Sequence, residues 1–319
     1  MPKNHHLLRS KPLVKGDLIG VVAPSSPFSK DAFEKGIQYL QAKGFRVHAP
    51  PAIFNSHRIF LAGSDTDRAG ALMDMFVNPE VRAIMAVRGG YGSQRILQEL
   101  DARQIRNHPK IFLGYSDITF LLLYLLDSCG IIPFHGPMLI EIGDMAQGTE
   151  EQLFMALTRE KPLGRIPLRN AVWIKQRRAK GALVGGNLTA ICTTLGTPWE
   201  IKTKGRLLFL EECGEKPYKI DRMLNQLKIA GTLSAAKGLI FGDILEKDKD
   251  GNASTRHSYE KEVLEIVKDV TGDFQGPVLL GLPVGHGGHN ITLPLGVEAL
   301  LDGEQGDLTV TEPALEWRE

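Results

Sequence analysis

The sequence of 319 residues has little cysteine, no surplus of either charge and no long apolar run. Its three cysteines, Cys129, Cys192 and Cys213, are too few and too far apart for a disulfide framework or a zinc site. With 38 Lys and Arg against 37 Asp and Glu, the net charge of +1 provides no general attraction to nucleic acid or to an anionic membrane. The longest apolar run, over residues 120–126, is far shorter than the ~20 residues that cross a bilayer.

The first fifteen residues are polar and basic, and they lack the apolar segment of a secretory signal. The composition, with 43% hydrophobic and 24% charged residues, is that of an ordinary globular protein. We therefore expect a soluble, cytoplasmic protein without nucleic acid or membrane among its partners.

Short apolar runs alternate along the chain with helical patterns, which is typical of parallel sheets with crossover helices. Buried strands are predicted over residues 18–23, 46–49, 83–87, 111–113, 131–134, 207–210, 239–241 and 278–280. The pattern weakens before residue 180, and the tail alternates as antiparallel strands do. The sequence thus predicts an α/β protein of two domains: a parallel-sheet, Rossmann-like or flavodoxin-like domain over 1–165, a linker over 166–180, and an α/β domain with a mixed sheet over 181–319.

Ser116 stands on a predicted strand-to-helix turn, directly after Gly114 and Tyr115. A serine at such a turn can project its hydroxyl clear of the sheet, while the helix that follows offers free N–H groups to a developing oxyanion. The surrounding residues do not form the Gly-x-Ser-x-Gly elbow of the usual α/β hydrolases. The alternative is that Ser116 only caps the helix.

A glycine-rich segment, Arg88-Gly89-Gly90-Tyr91-Gly92, follows another predicted strand. Glycine lets backbone N–H groups approach a ligand closely, and the Arg88 guanidinium suits a carboxylate or a phosphate. The segment is neither a Walker A loop nor a dinucleotide fingerprint. A simple tight turn is the alternative interpretation.

Two further strand ends carry acids and a histidine. The adjacent acids Glu211 and Glu212 point to opposite faces if their strand continues, so only one of them is expected to face a site; the alternative is a pair of solvated loop acids. His286 lies between glycines, and histidine is the natural proton carrier near neutral pH. His286 and His289 have no third ligand at helical spacing, so we predict no metal site and interpret His289 as a loop histidine bonded to nearby backbone.

In combination, these segments supply a serine, an acid and a histidine, each at a strand-to-loop junction. A serine hydroxyl is a poor nucleophile until an imidazole takes its proton, and the imidazole needs an acid to orient it. The residues therefore favour a hydrolase with a nucleophilic serine.

Six ordered segments between residues 16 and 296 resemble those of the LD-carboxypeptidases, a family of serine peptidases that also contains the microcin-immunity peptidases. The segments are Val22-Ala23-Pro24-Ser25-Ser26, Arg88-Gly89-Gly90-Tyr91-Gly92, Leu113-Gly114-Tyr115-Ser116-Asp117, Gly185-Gly186-Asn187-Leu188, Leu210-Glu211-Glu212 and Gly285-His286. The resemblance implies a catalytic triad of Ser116, Glu211 and His286, and an oxyanion hole formed by the N–H groups of Gly90 and Asp117. It also implies a homodimer that uses neither a metal nor an organic cofactor.

The family's typical reaction removes the terminal D-alanine of a murein tetrapeptide by cutting an L-D bond during cytoplasmic cell-wall recycling. The resemblance therefore implies a murein peptide as substrate, and Arg88, with Gly89 and Tyr91 beside it, is the candidate for binding it. Many members have Asp where this sequence has Glu212. Glu211 is assigned as the catalytic acid because its position carries that acid in the family.

Two alternatives remain from the sequence. A microcin-immunity peptidase would cut an amide next to an acyl-sulfamoyl or phosphoramidate adenylate, and it would need an aromatic ring, such as Trp173, Trp199 or Phe54, to stack on the adenine. The other alternative is a non-catalytic α/β protein that binds small peptides or sugars.

Overall fold

The computed structural model describes residues 7–55, 57–168, 171–248 and 253–317. Its strands are β1 (Leu18–Val22), β2 (Arg46–His48), β3 (Val81–Ala86), β4 (Ile111–Gly114), β5 (Phe134–His135), β6 (Gly164–Ile166), β7 (Val172–Lys175), β8 (Arg178–Asn187), β9 (Leu207–Cys213), β10 (Gly238–Lys247), β11 (Ala253–Ser254), β12 (Val278–Leu280), β13 (Leu293–Pro294), β14 (Glu298–Asp302) and β15 (Asp307–Val310). Its α-helices are α1 (Lys30–Ala42), α2 (Asp65–Val77), α3 (Ala102–Asn107), α4 (Thr119–Tyr124), α5 (Leu139–Ile142), α6 (Gln147–Thr158), α7 (Leu188–Thr194), α8 (Pro217–Ile229), α9 (Thr232–Ala235) and α10 (His257–Val270). Short 3₁₀ segments cover Pro51–Phe54, Ser93–Glu99 and Ser116–Ile118, and a π turn covers Leu125–Cys129.

The chain divides into two compact units. The first contains the described residues up to Lys161, together with Thr292–Leu295 and the described residues from Ala314. The second contains Pro162–Ile291 and Gly296–Pro313. The division differs from the expected continuous C-terminal domain over 181–319, because β13 and the end of the chain return to the first unit. Within the described residues, no helix has both the length and the apolar content needed to cross a membrane.

The sheet of the first unit has the strand order β13-β5-β4-β3-β1-β2. Strands β1 to β5 are parallel, and β13 pairs antiparallel with β5 at the edge. The order β2-β1-β3-β4-β5 is that of flavodoxin-like sheets, so the predicted parallel first domain is confirmed. Strand order reverses between β1 and β3, and ligands of such sheets bind outside the carboxyl ends of the strands at this point.

Burial explains why these segments form the layers of the first unit. All five residues of β1 are buried, as expected of a parallel strand covered by helices on both faces. Helix α1 begins after Ser29, whose hydroxyl accepts a hydrogen bond from Ala32 N, and it buries Phe33, Gly36 and Leu40 at helical spacing. The core therefore lies between the sheet and helices whose apolar stripes face it.

The sheet of the second unit is mixed, as the sequence predicts. Strands β8, β9, β10 and β12 are parallel neighbours. Antiparallel strands extend both sides: β14, β15 and β6 beside β8, and β7 beside β12. The carboxyl ends of β9, β10 and β12 consequently lie at one edge.

The segment over 166–180, expected to be a linker, is largely strand. It contains β7 and the beginning of β8, which pair with β12 and β14. Lys175 Nζ also donates hydrogen bonds to the carbonyls of Gly272 and Phe274, at 2.8 and 2.6 Å. Residues 169–170 of the expected linker, and residues 1–6 of the polar N-terminus, lie outside the described residues.

Candidate active site

Ser116 occupies a strained turn at the carboxyl end of β4. Its φ is +62°, a value that non-glycine residues rarely adopt and that costs about 1–3 kcal/mol. Tyr115 holds the N-cap position of the 3₁₀ segment Ser116–Ile118, and Ile118 holds that of α4, so Ser116 caps neither helix. Such strain persists only where the surrounding structure enforces it, which favours the functional interpretation of Ser116 over the capping one.

Residues 88–92, here called the glycine loop, pack against this serine. A Cβ atom at Gly89 would lie 2.9 Å from Ser116 Cβ, 3.1 Å from Ser116 Oγ and 3.3 Å from Asp117 N, so only glycine fits there without displacing them. Gly90 has a φ of +107°, and a Cβ on it would collide with the side chain of Ser26. The glycines thus allow close approach of backbone to Ser116, rather than serving only to turn the chain.

Asp117 contributes its backbone and its side chain in different ways. Its N–H lies in the first turn of a 3₁₀ segment, where leading N–H groups have no intrahelical acceptor. Its buried carboxylate accepts hydrogen bonds from Ser25 Oγ at 2.5 Å and from Ser93 N at 2.8 Å. The side chain therefore anchors the segments that follow β1 and the glycine loop, and its N–H is available to a ligand.

The two predicted substrate-binding side chains of the glycine loop take different positions. Arg88 Nη1 donates a hydrogen bond to Pro27 O at 3.0 Å, which leaves other donors of its guanidinium for a ligand. Tyr91 is 51% exposed, and its ring meets that of Phe60 edge-on with centroids 5.7 Å apart. Tyr91 N donates to Ser26 Oγ at 3.0 Å.

In the second unit, His286 and Glu211 form a direct pair. His286 Nδ1 lies 2.7 Å from Glu211 Oε2, and Glu211 is fully buried near the carboxyl end of β9. Gly285, with a φ of +124°, permits this contact, because a Cβ there would lie 2.8 Å from Glu211 Oε2. A carboxylate at Nδ1 selects the tautomer with its proton on Nδ1, so that Nε2 can accept a proton.

Glu212 points to the opposite face of β9, as the sequence predicts for adjacent strand residues. Its carboxylate accepts hydrogen bonds from Thr189 N and Oγ1 at 2.9 and 2.6 Å, and from Cys213 N at 2.9 Å. Burial, together with the neighbouring charge of Glu211, raises the pKa of Glu212 despite these bonds. Glu212 therefore holds the start of α7.

The loop that carries His286 is fixed by two side chains that sequence analysis missed. Asp243 Oδ2 accepts a hydrogen bond from Gly287 N at 2.9 Å, and Asn290 Oδ1 accepts one from Gly285 N at 3.1 Å. Burial raises the pKa of Asp243 to about 7. Its position just after the predicted strand 239–241, at the same edge as Glu211, is the sequence signal that could have identified it.

The predicted site residues thus fall into two groups. Ser116, Asp117 and the glycine loop lie together in the first unit, and Glu211 and His286 lie together in the second. His289 is half-buried in the loop after His286. No group of three or more His, Cys, Asp or Glu side chains in the described part of the chain is arranged to hold a metal ion.

Comparison with known proteins finds two family models that match the chain. The model of the LD-carboxypeptidase N-terminal domain matches residues 19–136, and that of the LD-carboxypeptidase C-terminal domain matches residues 180–301. The probable murein peptide carboxypeptidase of Bacillus subtilis (strain 168) is 37% identical over 300 residues, which make up 92% of this chain and 91% of that protein.

Two solved structures are also similar to this chain over nearly all of its length. The structure of the microcin C7 self immunity protein MccF in the inactive mutant apo state has a TM-score of 0.87 at 28% identity, covering 97% of this chain and 100% of its own. The crystal structure of muramoyltetrapeptide carboxypeptidase from Oxalobacter formigenes has a TM-score of 0.79 at 29% identity, covering 93% and 99%.

Proposed function

Because the chain belongs to the LD-carboxypeptidase family, we propose that it removes the terminal D-alanine of a murein tetrapeptide by hydrolysing the L-D peptide bond. The protein is a serine-type carboxypeptidase, and the name of its Bacillus subtilis relative supports a murein peptide as substrate. The observation that carries the proposal is the left-handed Ser116, held at the end of β4 with the glycine loop against its Oγ. This arrangement supports Ser116 as the nucleophile, with the backbone N–H groups of the glycine loop and of Asp117 as the proposed oxyanion donors.

In the proposed mechanism, Ser116 Oγ attacks the carbonyl carbon that precedes the D-alanine, and His286 Nε2 takes the Oγ proton. Glu211 holds the imidazole through Nδ1 and stabilises its protonated form. The N–H groups of Gly90 and Asp117 bind the oxyanion, and a donor of this kind contributes about 3–4 kcal/mol to the transition state. The proposal requires His286 Nε2 to reach Ser116 Oγ in the complex with substrate.

The second half of the reaction uses the same residues in reverse roles. The protonated His286 gives its proton to the nitrogen of the departing D-alanine, and an acyl-enzyme ester remains on Ser116. Water, deprotonated by His286, then attacks this ester and releases the shortened peptide. Arg88, flanked by Gly89 and Tyr91, is proposed to bind the free carboxylate of the terminal residue, which would limit cleavage to the end of the peptide.

Mass spectrometry of murein tetrapeptide incubated with the protein tests this function. The expected product has lost one alanine, and Ser116→Ala is expected to lower kcat by about 10⁶-fold, as in other serine triads. A tetrapeptide that ends in L-alanine is the control and should remain intact. Near-normal turnover by a folded Ser116→Ala variant would remove Ser116 from its proposed role.

The family's cytoplasmic role and homodimeric state support two finer proposals. We propose that the protein works in cytoplasmic cell-wall recycling and that it forms a homodimer. Light scattering coupled to size-exclusion chromatography should give about twice the chain mass of 35.1 kDa. A monomer across the working concentration range would contradict the dimer.

A second function is favoured by the similarity to the microcin C7 self immunity protein. In that case the chain would cut the amide of an aminoacyl sulfamoyl adenosine through the same serine. Of the candidate aromatic residues, Phe54 packs against Phe28 and Phe33, with ring centroids 5.6 and 5.0 Å apart. Assay of both substrate classes with one preparation separates the two functions. Family membership makes the third alternative, a non-catalytic binding protein, unnecessary.

A further inference from the structure

We propose that Arg68 is a positioning residue for this reaction, because its buried guanidinium holds the glycine loop that carries the Gly90 N–H. The inference rests on the proposed function, since it explains how one donor of the proposed oxyanion hole is kept in place. Arg68 lies on α2, and sequence analysis gave it no role.

Arg68 is 3% exposed, which is unusual for arginine unless its donors are satisfied. Nη1 donates hydrogen bonds to Gly92 O at 2.9 Å and to Pro24 O, and Nε donates to Gly63 O at 3.3 Å. One guanidinium thereby joins three segments: the one after β1, the one before α2, and the glycine loop after β3. The segments after β1 and after β3 lie on either side of the point where strand order reverses.

The charge of Arg68 is balanced by a carboxylate on its own helix. Its Nη2 pairs with Asp65 Oδ1, one turn earlier on α2. Arg95 also binds Asp65, through Nε at 2.9 Å and Nη2 at 2.6 Å, and these bonds lower the pKa of the Asp65 carboxyl. Asp65 thus remains an anion and fixes the guanidinium in one orientation.

The peptide group between Gly92 and Ser93 is held at both ends by buried charges of opposite sign. Arg68 binds its carbonyl, and Asp117 Oδ2 accepts from its N–H at 2.8 Å. The same two side chains hold the segment after β1, since Arg68 binds Pro24 O and Asp117 accepts from Ser25 Oγ. A rigid connection therefore runs from α2 through the end of the glycine loop to the residue that follows Ser116.

Gly90 lies between two attachment points: the Gly92–Ser93 peptide, which Arg68 and Asp117 hold, and Ser26. Ser26 N donates to Gly89 O at 3.4 Å, and Tyr91 N donates to Ser26 Oγ at 3.0 Å. With both flanks of the loop bound, the peptide that carries the Gly90 N–H has a defined orientation. Glycine itself does not fix this orientation, because it adopts positive and negative φ about equally readily.

The test uses Arg68→Lys, which keeps the charge but replaces a planar fork by a single ammonium that cannot hold carbonyls on two sides. The expected result is a kcat about 10- to 100-fold lower, with KM within about 3-fold of the original, because misplacing an oxyanion donor weakens only the transition state. The matched control is Arg106→Lys. Arg106 also donates to backbone carbonyls, those of Cys129 and Gly130, but these lie at the end of the π turn that follows α4, at the other end of α4 from Ser116.

A second measurement separates this role from general destabilisation. A tripeptide aldehyde that ends at the diamino acid adds the serine Oγ to its carbonyl carbon, and the new oxyanion occupies the hole. Its inhibition constant should rise by the same factor by which kcat/KM falls in Arg68→Lys, while the Arg106→Lys variant should keep both values. An unchanged aldehyde affinity in Arg68→Lys, or equal losses in both variants, would overturn the proposal.

If Arg68→Lys does not fold, Asp65→Asn carries the test. It removes the anion that orients Arg68 and should lower kcat and aldehyde affinity in parallel, by about 3-fold or more. An unchanged kcat overturns the inference.

Ser116→Ala separates failure of the proposed function from failure of the inference about Arg68. If Ser116→Ala retains turnover, the proposed function fails, whereas if Ser116→Ala is inactive and Arg68→Lys behaves like the original protein, only the inference about Arg68 fails.

Discussion

On β9, the alternation of side chains between the two faces of the strand determines what two adjacent acids can contact. Glu211 and Glu212 are adjacent, yet Glu211 faces His286 Nδ1 at 2.7 Å and Glu212 faces the backbone at the start of α7. Both are carboxylates of the same length in a buried setting. Only the side of the strand determines which of them can orient an imidazole.

The pair provides a test at this scale. Glu211→Gln keeps the size of the side chain but removes the charge that selects the tautomer and stabilises the imidazolium, so kcat should fall by about 10³- to 10⁴-fold. Glu212→Gln is the matched control and should change kcat by less than about 10-fold. Release of D-alanine from the tetrapeptide measures both values. Equal losses in the two variants would contradict the assignment of Glu211 as the catalytic acid.

At the scale of elements, helices α1 and α2 each contain a glycine, and the two glycines have different surroundings. Gly36 of α1 is buried, and a Cβ there would collide with the carbonyl oxygen and side chain of Leu139 in α5. Gly70 of α2 is exposed, with nothing within 4 Å of the Cβ position. The first glycine is required by helix packing, whereas the second only weakens its helix.

These surroundings predict opposite effects on stability. Gly70→Ala should raise the free energy of unfolding by about 0.5–1 kcal/mol, because alanine is the better helix former. Gly36→Ala should lower it by about 1–3 kcal/mol, because α1 and α5 must separate to admit the methyl group. Urea unfolding followed by tryptophan fluorescence measures both changes. A stabilising Gly36→Ala would show that α1 does not pack against α5 this closely.

For the molecule as a whole, buried acids make stability depend on pH. The pKa of Asp243 is raised from 3.8 to about 7 by burial, so between about pH 4 and pH 7 the folded state keeps a proton that the unfolded state has released. The free energy of unfolding therefore falls as pH rises through this window and levels off above it. Glu212, whose pKa is also raised, acts in the same direction.

Asp243→Asn should remove the contribution of Asp243, while its amide oxygen still accepts from Gly287 N. The free energy of unfolding of the variant, minus that of the original protein, should rise between about pH 4 and pH 7, by an amount on the order of a few kcal/mol, and stay constant at higher pH. Urea unfolding at pH 5, 6, 7 and 8 measures the difference. A difference that does not change with pH would mean that Asp243 is ionised throughout.

Prediction of the fold from the sequence succeeded where strands are buried on both faces. β1, β4 and β12 are short apolar runs because helices or other layers cover both sides of a parallel strand. The edge strand β7 and the start of β8 were assigned to a linker because their residues are partly exposed and include Lys175 and Arg178. A strand with one solvent-exposed face contains the same types of residue as a polar loop, and only its pairing with a neighbouring strand distinguishes the two.

The sequence by itself determined the types of groups available at the strand ends: a hydroxyl at Ser116, two adjacent acids, and an imidazole between glycines. It also determined that the two acids face opposite ways, since side chains alternate along any strand. Tertiary structure alone decided which donors meet which acceptors. Arg68 reaches Gly92, and Asp243 reaches Gly287, across 24 and 44 residues of chain. Such pairs follow from strand order and loop path, and short-range residue patterns contain no information about either.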